Sequence, residues 1–163
     1  MEFTPGNDRI SQARQPSLSE ELQGMITSFQ IDRTIAITAD NVCFDLHNNF
    51  DFIGFESSTA ERKAWLRWAR GEGDWVSKNL AKRFSLVFTG VSNFSVRTRD
   101  VAMPFSEDTC VASIAFAPPE LTDNFTAICP EYRSRDEHLS VLFQSGAGVK
   151  VWAESVTHEV DWG

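Results

Sequence analysis

The stretch Phe84-Ser-Leu-Val-Phe-Thr-Gly-Val-Ser-Asn-Phe-Ser-Val-Arg97 carries the clearest structural signal in the chain. Phe84, Leu86 and Phe88 fall on one side of an extended backbone, with Ser85 and Val87 on the other. That period of two is the mark of a strand with one buried face. Gly90 invites a bulge or bend, after which Val91, Phe94 and Val96 resume the run towards Arg97. The stretch reads as two strands.

Moving towards the C-terminus, Leu139, Val141 and Phe143 are followed by Ser145-Gly-Ala-Gly148 and then by Val149, Val151 and Ala153. This reads as a hairpin, with Gly146 and Gly148 supplying the positive φ of its loop. Upstream, Phe29, Ile31, Ile35 and Ile37 alternate with polar residues, as do Val42, Phe44 and Leu46, and Asp40-Asn41 between them has turn chemistry. Phe50, Phe52 and Gly54 then alternate with Asp51, Ile53 and Phe55. Over 63–70, helix propensity competes with a clean alternation of Ala64, Leu66 and Trp68 against Trp65, Arg67 and Ala69. The alternation and the two tryptophans favour a strand. Val111, Ser113 and Ala115 alternate with Ala112, Ile114 and Phe116, and 124–129 reads as one further short strand.

Residues 1–16 are polar, with Pro5 and Gly6, and read as a flexible tail before a single β-rich domain over 17–163. Ser17-Leu-Ser-Glu20 has the capping-box pattern, and Leu18, Leu22, Met25 and Ile26 follow at helical spacing, which predicts one short N-terminal helix. Seven to nine strands are expected, with no long helix to cross between parallel neighbours. The fold class is therefore all-β or β-dominated α+β, as an antiparallel sandwich or a strongly bent sheet.

At 163 residues the chain is long enough for one core that needs neither disulfide nor structural metal. Thirteen Phe and five Trp against one Tyr suit a β core. The net charge is −8, and it is uneven: 61–83 carries +4 and the remainder −12. Such a balance disfavours nucleic acid and anionic membrane and suits a basic protein partner, with a second copy of the chain as the alternative. No apolar run is long enough to span a membrane and no secretory leader is recognisable, so the expected location is cytoplasmic.

Catalytic signals are absent at the level of spacing. Cys43, Cys110 and Cys129 lie far apart with no Cys-x-x-Cys, and Cys43 and Cys110 read as buried free thiols. His47, His138 and His158 are distant in sequence and read as solvated or capping residues rather than metal ligands with Asp45 or Glu159. No serine occupies a Gly-x-Ser-x-Gly elbow, and the carboxylate pairs Glu107-Asp108 and Asp136-Glu137 read as solvated loops. Aromatic and basic residues interleave from Trp65 to Arg83, a pattern that single-stranded nucleic acid or a sugar can use, but the charge elsewhere opposes phosphate. Arg97-Thr-Arg99-Asp100 reads as a brace, with Asp100, Glu107 and Asp108 as available carboxylates. No catalytic, cofactor-binding or metal-ligating residue is expected, and no cofactor.

Leu86 to Arg97 resembles the strand, Gly-Val, strand pattern of small bacterial β proteins, some of them immunity proteins of polymorphic toxin systems. Leu142-Phe-Gln-Ser-Gly-Ala-Gly-Val-Lys-Val-Trp-Ala-Glu-Ser-Val156 is similar to their closing hairpin. The resemblance implies an intracellular binding module that neutralises a basic protein partner, and it carries over no functional residue. The alternatives are a small-ligand-binding β fold with an apolar cavity, or an enzyme of unrecognised type. Under the enzyme reading His47, Asp45, Arg97 and Asp100 are the first residues to test.

Overall fold

The computed structural model describes residues 24–118 and 136–163. Among them lie twelve strands: β1 (Ile26–Thr27), β2 (Gln30–Asp32), β3 (Ala36–Ala39), β4 (Val42–Asp45), β5 (Phe50–Ser58), β6 (Lys63–Arg70), β7 (Arg83–Thr89), β8 (Asn93–Arg97), β9 (Val111–Ala117), β10 (His138–Phe143), β11 (Gly148–Trp152) and β12 (Ser155–Asp161). The single helical element among the described residues is a 3-10 turn, Phe105–Asp108. The protein is β-dominated, as the alternation predicts. More strands are found than the sequence suggests, because several are only two to four residues long.

Three sheets share one core. The largest has the order β1-β12-β7-β6-β5, the second β8-β11-β10-β9, and the smallest β2-β3-β4. Every pairing is antiparallel except the two-residue contact of β1 with β12. Phe84, Leu86 and Phe88 of β7 are fully buried beside Ala64, Leu66 and Trp68 of β6. Opposite them in the same cluster stand Val141 and Phe143 of β10 and Val149 and Val151 of β11, with Val91 packed at its margin. The small sheet joins through Phe44, whose ring lies 4.7 Å from that of Phe84. Residues 63–70 form a strand, so burial of one face overrides helix propensity there.

Local turn chemistry explains two of the hairpins. Asp40 and Asn41 both have positive φ, 49° and 63°, in the two-residue β3–β4 loop that joins Ala39 to Val42. Asp and Asn tolerate this left-handed region better than other side chains, which is why the pair forms the tight turn. In the β10–β11 hairpin Gly146 has φ +80°, whereas Gly148 already pairs with Leu142 and Arg97 as the first residue of β11. One positive-φ glycine therefore suffices where the sequence suggests two.

Other expectations need correction. The predicted N-terminal helix falls largely on 17–23, outside the described residues, and its last position, Ile26, is in β1. The tail 1–16, the strand expected over 124–129 and Cys129 also lie outside the described residues. Cys43 is exposed and Cys110 half-buried, because Cys43 sits on the outer face of the small sheet. The alternation from Phe50 to Phe55 also breaks. The β5–β6 register shifts between Phe52 and Gly54, so Phe52 pairs with Trp68 and Phe55 with Leu66, both on the core side. A bulge adds one residue and reverses the parity of everything after it. Gly54, at φ +135°, takes a backbone conformation that a side chain would resist.

Candidate functional site

The bulge in β5 shapes a strongly apolar cleft. It lies between β5, at one end of the large sheet, and β8, at one end of the second sheet, and has a volume of about 300 Å³. Phe52, Phe55, Val96, Phe143 and Val149 line it, with Arg97 and Arg99 at its rim. Its floor is aromatic: the Phe52 ring is 4.6 Å from Phe143 and 5.3 Å from Trp68. The wall is built by Phe55 against Phe94, 5.2 Å apart. Without the bulge, Phe55 would point to the opposite face and the wall would be missing.

A loop from Thr98 to Cys110 borders the cleft and is held by one arginine. Arg99 Nε donates to Asp108 Oδ1 at 2.9 Å, its NH2 donates to the Met103 carbonyl, and its guanidinium lies 4.3 Å from the Phe105 ring centre. The Arg99 hydrogen bond, and then that from Ser145, hold the Asp108 carboxyl below the usual carboxylate range. Backbone bonds from Asp100 N to Ser145 O, at 2.8 Å, and from Phe52 N to Thr109 O, at 2.9 Å, tie the loop to both sheets. The brace predicted for the Arg97 to Asp100 segment is thus present, and Asp108 is engaged rather than merely solvated. The loop nevertheless presents Val101 and Phe105 to solvent, 89% and 78% exposed. Phe105 packs on Arg99, which lines the cleft, and Phe55 and Val96 of the lining are themselves 45% and 51% exposed.

A second constellation lies at the other end of the large sheet. Ser28, between β1 and β2, has its Oγ 2.8 Å from His158 Nδ1, and His158 Nε2 is 3.0 Å from Asp40 Oδ2. The His158 backbone N–H also donates to Ser28 Oγ, at 3.3 Å. His158 stands in the middle of β12 with its ring stacked on Phe84 at 6.5 Å and 14°, its side chain only 11% exposed. Ser28 and Asp40 open onto a polar groove of about 860 Å³ that Gln30, Thr38 and Asn41 also line. The sequence separations are 130 and 118 residues, so no spacing rule could have found this arrangement.

The residues singled out for an enzyme reading are placed differently. Asp45 accepts from the backbone N–H groups of His47 and Asn48 and from the Asn48 amide, closing a turn after β4. His47 Nδ1 donates to the Val111 carbonyl at 2.6 Å and lies 3.5 Å from Cys110 Sγ. Burial, then Glu107 and Asp51, push the Cys110 thiol up, so it stays protonated and is a poor nucleophile. Arg97 lines the cleft, and Asp100 accepts from the Ala102 N–H within the braced loop.

His138 and Glu137, expected at the surface, are buried instead, and so is Lys150. His138, the first residue of β10, is fully buried against Trp152, with ring centres 4.4 Å apart and neither ring nitrogen hydrogen-bonded. Burial, then the nearby Lys150 charge, lower its pKa to about 4. Glu137 accepts from Met25 N at 2.8 Å, and Lys150 is fully buried. The basic and aromatic segment does not form a stacking platform: Trp68 is buried, Trp65 faces the opposite side of β6, and Trp75 is 78% exposed. Arg67 and Arg70 of this segment, and Arg62 just before it, bind within the chain: Arg62 to Glu154, Arg67 to Glu56 and Arg70 to the carbonyls of Lys78 and Leu80.

Among the described residues no group of three or more His, Cys, Asp or Glu side chains could hold a metal ion, and no helix is long and apolar enough to cross a membrane. No protein-family model, curated protein or solved structure matches this chain.

Proposed function

We propose that this protein is a binding module that engages a protein partner at the cleft between β5 and β8. The observation that carries the reading is exposed Phe55 and Val96 over an aromatic floor, with exposed Phe105 packed on Arg99 beside them. Apolar side chains in such a group are costly to hydrate, and a contiguous apolar patch marks an interaction surface. A cleft of this size accepts one large apolar side chain, the usual anchor of a protein interface. Arg97 and Arg99 also line the cleft and add positive charge beside that anchor.

The partner's overall charge is basic on this reading, because a net charge of −8 attracts cations over long range. Neutralisation of a basic protein, as in an immunity-type role, is the biological form that fits. The test compares proteins retained by the immobilised wild type with those retained by Phe55→Asp and Phe105→Asp. A partner held at the cleft is lost from both variants while their melting temperatures stay near the wild type. Its association slows as salt rises, since exposed charges are screened beyond about 8 Å at physiological ionic strength. Equal retention by all three proteins overturns the proposal.

A further inference from the structure

We propose that Ser28 is the nucleophile of an acyl-ester hydrolysis site, with His158 as its general base and Asp40 as the group that orients the imidazole. The site lies across the large sheet from the cleft and is independent of any partner bound there. The hydrogen-bonded chain runs Ser28 Oγ, His158 Nδ1, His158 Nε2, Asp40 Oδ2, at 2.8 and 3.0 Å. An ionised carboxylate only accepts, so Asp40 requires the proton on Nε2. That assignment leaves Nδ1 as an acceptor for the serine hydroxyl, the tautomer a general base needs. The ring nitrogens exchange the roles they have in serine-protease triads, where serine meets Nε2. Such triads are recognised by geometry and role, not by position in the sequence.

Three elements fix the geometry independently. His158 is held in mid-strand by the β7–β12 ladder, where it pairs with Leu86, and by the Phe84 ring. Asp40 is placed by the two-residue turn after β3, and Ser28 by the link between β1 and β2. The serine is accessible where it must be, opening onto the polar groove. The side-chain amides of Gln30 and Asn41 line the same groove and are donors for a carbonyl oxygen. A lining of hydroxyl, amide and carboxylate groups fits the ester of a polar, hydroxyl-bearing alcohol better than that of a long-chain lipid.

The reaction balances with water as the only co-reactant. Ser28 Oγ attacks the ester carbonyl carbon as its proton passes to His158 Nδ1, and the carbonyl electrons move onto oxygen. The adduct collapses, the bond to the alcohol oxygen breaks, and Nδ1 returns the proton to that leaving oxygen. Water then repeats the sequence on the acyl-serine, releasing the carboxylic acid and restoring Ser28.

The experiment treats the full chain with a fluorophosphonate probe, maps adducts by mass spectrometry, and follows 4-nitrophenyl acetate hydrolysis. Expected is one adduct on Ser28, with turnover above buffer that falls by roughly 10²-fold or more in Ser28→Ala. Asp40→Asn serves as the second variant: its side chain is 85% exposed, so the fold is unaffected, while labelling slows about tenfold as the tautomer is released. Failure to label Ser28 in folded protein overturns the proposal. So does labelling at a rate that Asp40→Asn and His158→Gln leave unchanged, because the hydroxyl then reacts without its base.

Discussion

The two ends of the large sheet differ in how their surfaces are made. At the β5 end, Phe52, Phe55, Val96, Phe143 and Val149 come from strands and form an apolar cleft. At the β1 end, Ser28, Asp40 and His158 form a polar chain beside a groove. The same core lies behind both, and Phe84 touches each side of it: its ring lies 6.1 Å from Trp68 and 6.5 Å from His158. Apolar surface left at a strand end follows from a register shift. A polar relay has to be assembled from residues that the core merely holds in place. The first can be found by its composition, the second only by its geometry.

The strongest test of this comparison removes the shared support. Phe88→Ala empties a fully buried site in β7, and a loss of about 3–5 kcal/mol is expected in denaturant unfolding. Cleft and groove should fail in one transition, since one cluster of side chains joins all three sheets. A loss of about 0.5 kcal/mol, the range of surface substitutions, would break the picture of a single core.

Acid separates the buried histidine from both ends of the sheet. His138 is neutral in the native state, with a pKa of about 4 against an ordinary 6.5. The unfolded chain therefore binds a proton that the folded chain refuses between those values, and stability rises with pH across that window. The contribution is complete above about pH 6.5 and is lost as pH falls towards 4, amounting to on the order of 2–3 kcal/mol. Unfolding measured from pH 4 to 7 should show this slope in the wild type and lose it in His138→Leu. A slope that survives the substitution would assign the effect to other groups.

Smaller effects distinguish bracing from binding at the cleft. Arg99→Ala removes the partly buried ion pair with Asp108 and the contact with Phe105, and should cost about 1–2 kcal/mol in thermal or denaturant unfolding. Phe105→Ser should change stability by no more than about 0.5 kcal/mol, because the ring is 78% exposed, yet reduce partner retention as strongly as Arg99→Ala. If Phe105→Ser retains a partner that Arg99→Ala loses, the arginine makes the contact and the Phe105 ring does not.

Much of the scaffold was legible from alternation. The alternation reads Phe84, Leu86, Phe88, Val91, Val141, Phe143 and Val151 as one core; six are buried in one cluster, and Val91 is only partly buried against it. The strand over 63–70 and the turn at Asp40-Asn41 are likewise visible, because each depends on residues within a few positions of one another. The Arg99 to Asp108 brace was partly visible, since its partners are nine residues apart. The bulge at Gly54 was not, for a single glycine in a strand pattern does not say where the register slips. Nor was the burial of Glu137, His138 and Lys150, which depends on what packs over them from elsewhere in the chain.

By itself, then, the sequence determined a β-dominated protein with an aromatic core and a large negative charge. Side-chain parity, turn chemistry and net charge are properties of neighbours along the chain or of simple sums over it. Only the tertiary structure decided that Phe55 walls a cleft and that Ser28, Asp40 and His158 meet. Phe55 was redirected by a shift in pairing with β6. The other three arrive from separate elements up to 130 positions apart, held by packing to within hydrogen-bond distance. Hydrogen bonds require placement to a few tenths of an ångström, and that precision comes from the ladders and the core, which no local pattern encodes.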